Sequence, residues 1–239
     1  MKLVAISDLH GHLLDPVELN AGNHFDVLCI CGDIVPLYIQ WDSEESHLWF
    51  TNEFVNWCDK INCDKIIFIA GNHDMYLEKL LKKYVYDAKA VSEFMEWPEK
   101  MVFLHDSEYE YNGKLFYGTP WCPNLVRWAF YADYKQLNIN FARIPKKVDV
   151  LITHTPGKKM FNTGTILDNS MEEVGSFELT EAVMMRKIGL WICGHIHSGN
   201  HELCEFTDSK FECNKMKVAN VSVVNEKYRL AYKPLFIEI

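Results

Sequence analysis

Five short segments carrying aspartate or histidine punctuate this chain, and each follows a run of apolar, mostly β-branched residues. They are SDLH at 7–10, GD at 32–33, GNHD at 71–74, TH at 153–154 and GHIH at 194–197. Short apolar runs bounded by turn residues read as buried strands. One strand end cannot chelate a metal alone, but neighbouring strand ends in an α/β sheet converge where the following loops meet. A fold for this chain must therefore bring five strand ends to one place.

The pattern between those strands supports an α/β reading. Leu48, Phe50, Phe54, Val55 and Cys58 recur at helical spacing, which predicts a helix over 43–59 with Ser43 and Ser46 as candidate caps. A longer helix is expected over 75–96, ending at Trp97-Pro98, where proline disfavours continuation. Asn112-Gly113 between two alternating segments signals a tight hairpin. Strands are expected at 148–153, 190–193, 218–223 and 229–239, with a helix over 178–187. Two sheets packed between helical layers accommodate this order, as one domain over 1–239.

Aspartate oxygens, imidazole nitrogens and one asparagine carbonyl form a mixed ligand set suited to divalent first-row metals. Asp8 and His10 leave one strand together, and Asp33 offers two oxygens that can each take a metal. Gly32, Gly71 and Gly194 precede ligand residues, where a missing Cβ permits close backbone approach. The formal net charge of −9 argues against a general polyanion-binding surface, so nucleic acid is not a favoured partner. An anionic substrate needs local positive charge, which two bound cations would supply. No run of about 18 apolar residues exists, so no membrane span is expected. The eight cysteines include no CxxC pair, and several lie in apolar runs; reduced thiols and a cytoplasmic location are expected.

The ordered set Asp8-x-His10, Gly32-Asp33, Gly71-Asn72-His73-Asp74, His154 and Gly194-His195-x-His197 resembles the calcineurin-like metallophosphoesterase superfamily. The stretches at 118–121 (GTPW), 153–156 (THTP) and 194–199 (GHIHSG) are most similar to its small metallophosphoesterase domain-containing, UPF0046-type branch. The resemblance implies an α/β (mixed α+β) fold, a four-layer α/β/β/α sandwich with two mixed β-sheets. It implies two divalent ions, manganese first, with iron, zinc or nickel as alternatives. One ion would take Asp8, His10, Asp33 and His197, and the other Asp33, Asn72, His154 and His195. A hydroxide bridging them would attack phosphorus. His73 would protonate the leaving oxygen, with Asp74 orienting its ring.

Phosphoprotein phosphatases of that superfamily carry an arginine soon after the G-D motif, whereas this chain reads GDIVPL at 32–37. The missing bidentate clamp favours a phosphodiester or a small nucleotide-type substrate over a phosphoprotein. Two rival readings are a weakly active nucleotide-binding regulatory protein and a nuclease acting on nucleic-acid ends. His12, Trp121 and Lys158 are candidate substrate contacts. His12 either touches substrate or caps the following segment, and Trp121 leads an aromatic group with Trp128, Phe130, Tyr131 and Tyr134. Asn124 and Asn162 are weaker candidates.

Overall fold

The computed structural model describes residues 1–20, 23–158, 174–206 and 216–239. Asn162 lies outside them. In chain order the elements are β1 (Lys2–Ile6), α1 (Pro16–Asn20), β2 (Phe25–Cys31), α2 (Ser43–Trp49), a π-helical turn (Phe50–Phe54), α3 (Val55–Lys60) and β3 (Cys63–Ile69). There follow α4 (Met75–Lys83), α5 (Ala88–Phe94), β4 (Met101–Phe103), β5 (Ser107–Tyr111), β6 (Lys114–Thr119), α6 (Tyr134–Phe141) and β7 (Lys147–Thr153). The remainder comprises α7 (Phe177–Met184), β8 (Lys187–Cys193), β9 (Cys204–Phe206), β10 (Met216–Asn220) and β11 (Leu235–Glu238).

The strands form two mixed sheets. One has the order β11-β1-β2-β3-β4 and the other β5-β6-β7-β8-β10-β9. In each, the central strands run parallel, while β11, β5 and β9 pair antiparallel at the edges. Side chains alternate along every central strand, so each strand feeds two cores. Leu3, Ala5, Val27 and Cys29 share an apolar layer with Val150, Ile152, Leu190 and Ile192 between the sheets. The intervening residues Val4, Ile6, Leu28 and Ile30 turn outward onto the helices of the first half. Leu151, Trp191 and Cys193 pack against α6 and α7 on the far side through Leu137, Phe141, Leu179 and Val183. The result is the expected α/β/β/α sandwich.

Three local expectations are corrected. The predicted helix over 43–59 runs from Ser43 to Lys60 but contains the π-helical turn. Its cap is Asp42, whose carboxylate accepts from the Glu44 and Glu45 amides, while Ser46 hydrogen-bonds the Ile39 carbonyl. The single helix expected over 75–96 is two helices. Val85 and Tyr86 take positive φ (54° and 62°) between them, and Asp87 caps the second. The strand expected over 229–239 is confined to Leu235–Glu238. The hairpin is as read, with Asn112 and Gly113 at positive φ between Tyr111 and Lys114, which pair directly. The seven cysteines among the described residues are free thiols, and six of them are buried. Among the described residues no helix is long and apolar enough to cross a membrane.

Candidate metal centre

Because β1, β2 and β3 are parallel in one sheet and β7 and β8 are parallel in the other, their carboxyl ends deliver the five motifs to a common edge. The strand pairing continues as irregular backbone contacts: the Asp8 amide donates to the Gly32 carbonyl, and the His10 amide to the Asp33 carbonyl. Asp8, His10, Asp33 and His195 all hold positive φ, between 42° and 69°. Non-glycine residues adopt that conformation at a cost, and such strain gathers at functional sites. Gly32 meets the same demand with φ 93°, and a Cβ there would lie 2.7 Å from both the Gly71 amide and His154 Nδ1. A Cβ on Gly194 would overlap the Ser7 side chain and Asp8. These glycines set how closely the loops can pack.

Asp33 lies at the middle. Its Oδ1 accepts the His73 amide at 2.7 Å. Its Oδ2 faces His154 Nε2 at 3.3 Å, His10 Nε2 at 3.8 Å and His73 Nε2 at 3.9 Å. Asp8 faces His197 Nε2 at 3.4 Å and accepts the His195 amide. Ligand atoms within 4.8 Å of one another group as Asp8/His10/His197, His10/Asp33/His73, Asp8/Asp33/His154 and Cys122/His154/His195. Asp8, Asp33 and His154 are at most 1% exposed.

This donor set fits a cation for a specific reason. His154 Nδ1 lies 2.7 Å from the Cys31 carbonyl, so it must donate there. In the neutral ring Nε2 then carries a lone pair, yet it points at Asn72 Oδ1 (3.0 Å) and Asp33 Oδ2. Acceptors converge from three sides, and a cation or a proton is required among them. Burial works to lower the His154 pKa, but Asp33 overrides it and lifts His154 to about 9. His10 makes the complementary case: both of its ring nitrogens are buried with no hydrogen-bond partner among the described residues. Burial holds His10 down to about 4 and His195 down to about 3, leaving both rings neutral and able to bind metal. Burial opposes ionisation of Asp8, yet the His197 hydrogen bond and charge bring it to about 2. Asp33, likewise buried, is held well below the usual carboxylate range by His154 and His73.

The His73 ring does not rest on Asp74. Its Nδ1 meets Gln40 Oε1 at 2.5 Å. The Asp74 carboxylate instead accepts the Ile34 and Val35 amides at 3.0 Å and the Gly71 amide at 2.7 Å, tying the loop after β2 to the loop after β3. Burial and the Asp33 charge raise Asp74 to about 7 against those three amides. A residue seven places beyond Asp33 thus takes the orienting role expected of Asp74.

The substrate candidates fall differently. His12 Nε2 bonds the Tyr228 carbonyl at 2.9 Å, holding the turn that places the Tyr228 ring 4.8 Å from His10 and 5.1 Å from His197. Trp128 packs 4.4 Å from the His73 ring and 5.4 Å from Trp41. Trp121 turns elsewhere, with its indole nitrogen on Asp106 at 2.8 Å. Lys158 has its backbone engaged with Ser176 and Thr180. Gln40, Cys122 and Tyr228 belong to the centre without any motif to announce them.

Residues 1–199 match the family described as calcineurin-like phosphoesterase. The whole chain aligns with metallophosphoesterase domain-containing protein 1 of Homo sapiens at 28% identity, spanning 71% of that protein. It aligns equally fully with a UPF0046 protein of Caenorhabditis elegans at 27% identity, spanning 60% of that one. Among solved structures, phosphopantetheinyl hydrolase of Mycobacterium tuberculosis shares the fold, with a TM-score of 0.52 and 13% identity. That likeness covers 99% of this chain and 95% of the other.

Proposed function

Since this chain belongs to the calcineurin-like phosphoesterase family, we propose that it hydrolyses phosphodiesters or small nucleotide-type phosphate esters at a pair of divalent metal ions. The observation that carries this reading is the convergence of Asp33 Oδ2, Asn72 Oδ1 and His154 Nε2, three atoms that need a cation between them. One ion is assigned to Asp8, His10, Asp33 and His197, and the second to Asp33, Asn72, His154 and His195. When bound, the pair supplies a Lewis acid that acidifies water and neutralises phosphate oxygens. Manganese is the first expectation for this oxygen- and imidazole-rich set.

The protein's own residues do the rest. His73 Nε2 faces the Asp33 side of the centre while Gln40 accepts from Nδ1, so Nε2 carries a proton for the leaving oxygen only in the doubly protonated ring, a form that burial makes more acidic than a free imidazolium. Tyr228 and Trp128 flank the histidines and narrow the approach. Among the described residues the basic side chains that face Asp8 and Asp33 are histidines rather than arginine, which supports a diester over a phosphoprotein.

The test couples elemental analysis of purified protein to rates on matched diesters and monoesters. Metal-dependent hydrolysis, faster on the diester, is expected. It should vanish in Asp33→Asn and His154→Ala with loss of metal. His73→Ala should lower turnover about a hundredfold while metal content holds. Loss of metal in His73→Ala would overturn the division between ligand and acid.

A further inference from the structure

A cavity of about 470 Å³ is lined by Trp121 and Tyr131, from the same segment whose Cys122, Trp128 and Ala129 meet the metal centre. Two polar atoms on its wall, Asn140 Nδ2 and His105 Nδ1, have no hydrogen-bond partner among the described residues. Their residues are 1% and 5% exposed. Buried polar groups are nearly always paired, so two orphans on one cavity wall call for something that completes them. Asn140 Oδ1 is already taken by Gln136 at 2.8 Å, which leaves the amide nitrogen as the free donor.

The rest of the wall specifies what would bind. Arg143 reaches Asp106 through Nη1 at 3.4 Å and keeps 57% of its side chain exposed, so most of its donor fork remains available. Flat surfaces stand beside it: Tyr86 stacks on His105 at 5.4 Å and 19°, and Trp121 meets His105 edge-on at 5.4 Å. The Tyr86 side of the cavity is the positive-φ turn that splits α4 from α5. The free Asn140 amide donor, a guanidinium and aromatic faces together select a planar ring bearing an oxyanion.

We propose that this cavity is an effector site for a planar ring carrying a carboxylate or phosphate, held by Arg143 and Asn140 against Trp121. Its occupancy is felt at the metal centre through short connections. Cys122 follows Trp121 and lies within 4.8 Å of the His154 and His195 ligand atoms. Phe130 packs on Trp121, and the neighbouring Ala129 amide donates to the Asn72 carbonyl at 3.2 Å. The Phe130 amide itself is held by Glu78, another residue of the cavity wall.

The test is calorimetry on the full chain with benzoate and adenosine monophosphate, which separate the two sources of that chemistry. At least one should bind, equally well to Asp33→Asn, and about tenfold more weakly to Arg143→Ala. Saturating probe should shift wild-type turnover of bis-para-nitrophenyl phosphate about fivefold, and leave the turnover of Arg143→Ala at whatever rate that variant shows without probe. Binding of neither probe, unchanged affinity in Arg143→Ala, or binding lost in Asp33→Asn would overturn the site. Binding that leaves turnover unchanged would overturn the effector role. The coupling rests on the phosphoesterase reading, but the calorimetry does not. Were no ester hydrolysed, the role would be read from manganese affinity, which the probe should shift by the same factor.

Discussion

At the scale of single residues, the partner of the proposed acid is an amide. A carboxylate behind His73 would favour the imidazolium by charge, whereas the Gln40 carbonyl orients the ring without adding charge. Gln40→Ala should therefore weaken proton delivery more than metal binding. The expected loss in kcat is about tenfold on a diester with a poor leaving group and small on a para-nitrophenyl ester, whose leaving oxygen needs no proton. Gln40→Glu keeps an acceptor in place and should restore most of the difference. Equal losses on both esters would show Gln40 to be a packing residue only.

The seven candidate ligands were legible from sequence because each follows a strand, and strands announce themselves by apolar runs. Gln40 was not, since it sits 33 residues before His73 and reaches it only through the loop after β2. Asp74 illustrates the opposite error. The family resemblance implies that it orients His73, but three backbone amides compete for its oxygens and win.

At the scale of elements, the informative departure is the break between α4 and α5. Apolar spacing continues across 84–87, so periodicity alone reads one helix; the turn depends on positive φ at Val85 and Tyr86, residues that rarely supply it. Val85 is 85% exposed, so its side chain returns little packing for that strain. Val85→Asn, a residue that tolerates this conformation, should stabilise the fold by about 1 kcal/mol and raise Tm by about 3 °C. An unchanged or lower melting temperature would mean the turn is not strained.

The same region carries a pH signature. Burial lowers the His105 pKa below its ordinary 6.5, so the folded protein holds this ring neutral. A lowered folded value means that His105 contributes fully above about pH 6.5 and loses that contribution as pH falls through the folded pKa. The gap in Tm between wild type and His105→Asn should thus be widest near pH 7.5 and narrow towards pH 5. A gap that widens on acidification would reverse the sign and refute a neutral buried ring.

At the scale of the molecule, the metal centre is also a clasp between the two sheets. Asp8, His10, Asp33 and Asn72 hang from β1, β2 and β3, whereas His154, His195 and His197 hang from β7 and β8. Ions bound across that seam would stabilise the native state and have no equivalent site in the unfolded chain. At a thousandfold excess over Kd, a single ion contributes about 4 kcal/mol, which for a chain of this size raises Tm by about 10 °C. Adding a chelator to the metal-loaded protein should lower Tm by at least that amount in one cooperative transition, because both sheets lose the same link. Asp33→Asn should melt near the chelated value and respond to neither chelator nor manganese. A chelator effect that persists in Asp33→Asn would place the stabilising metal away from the seam, and the clasp would then be the shared apolar layer alone.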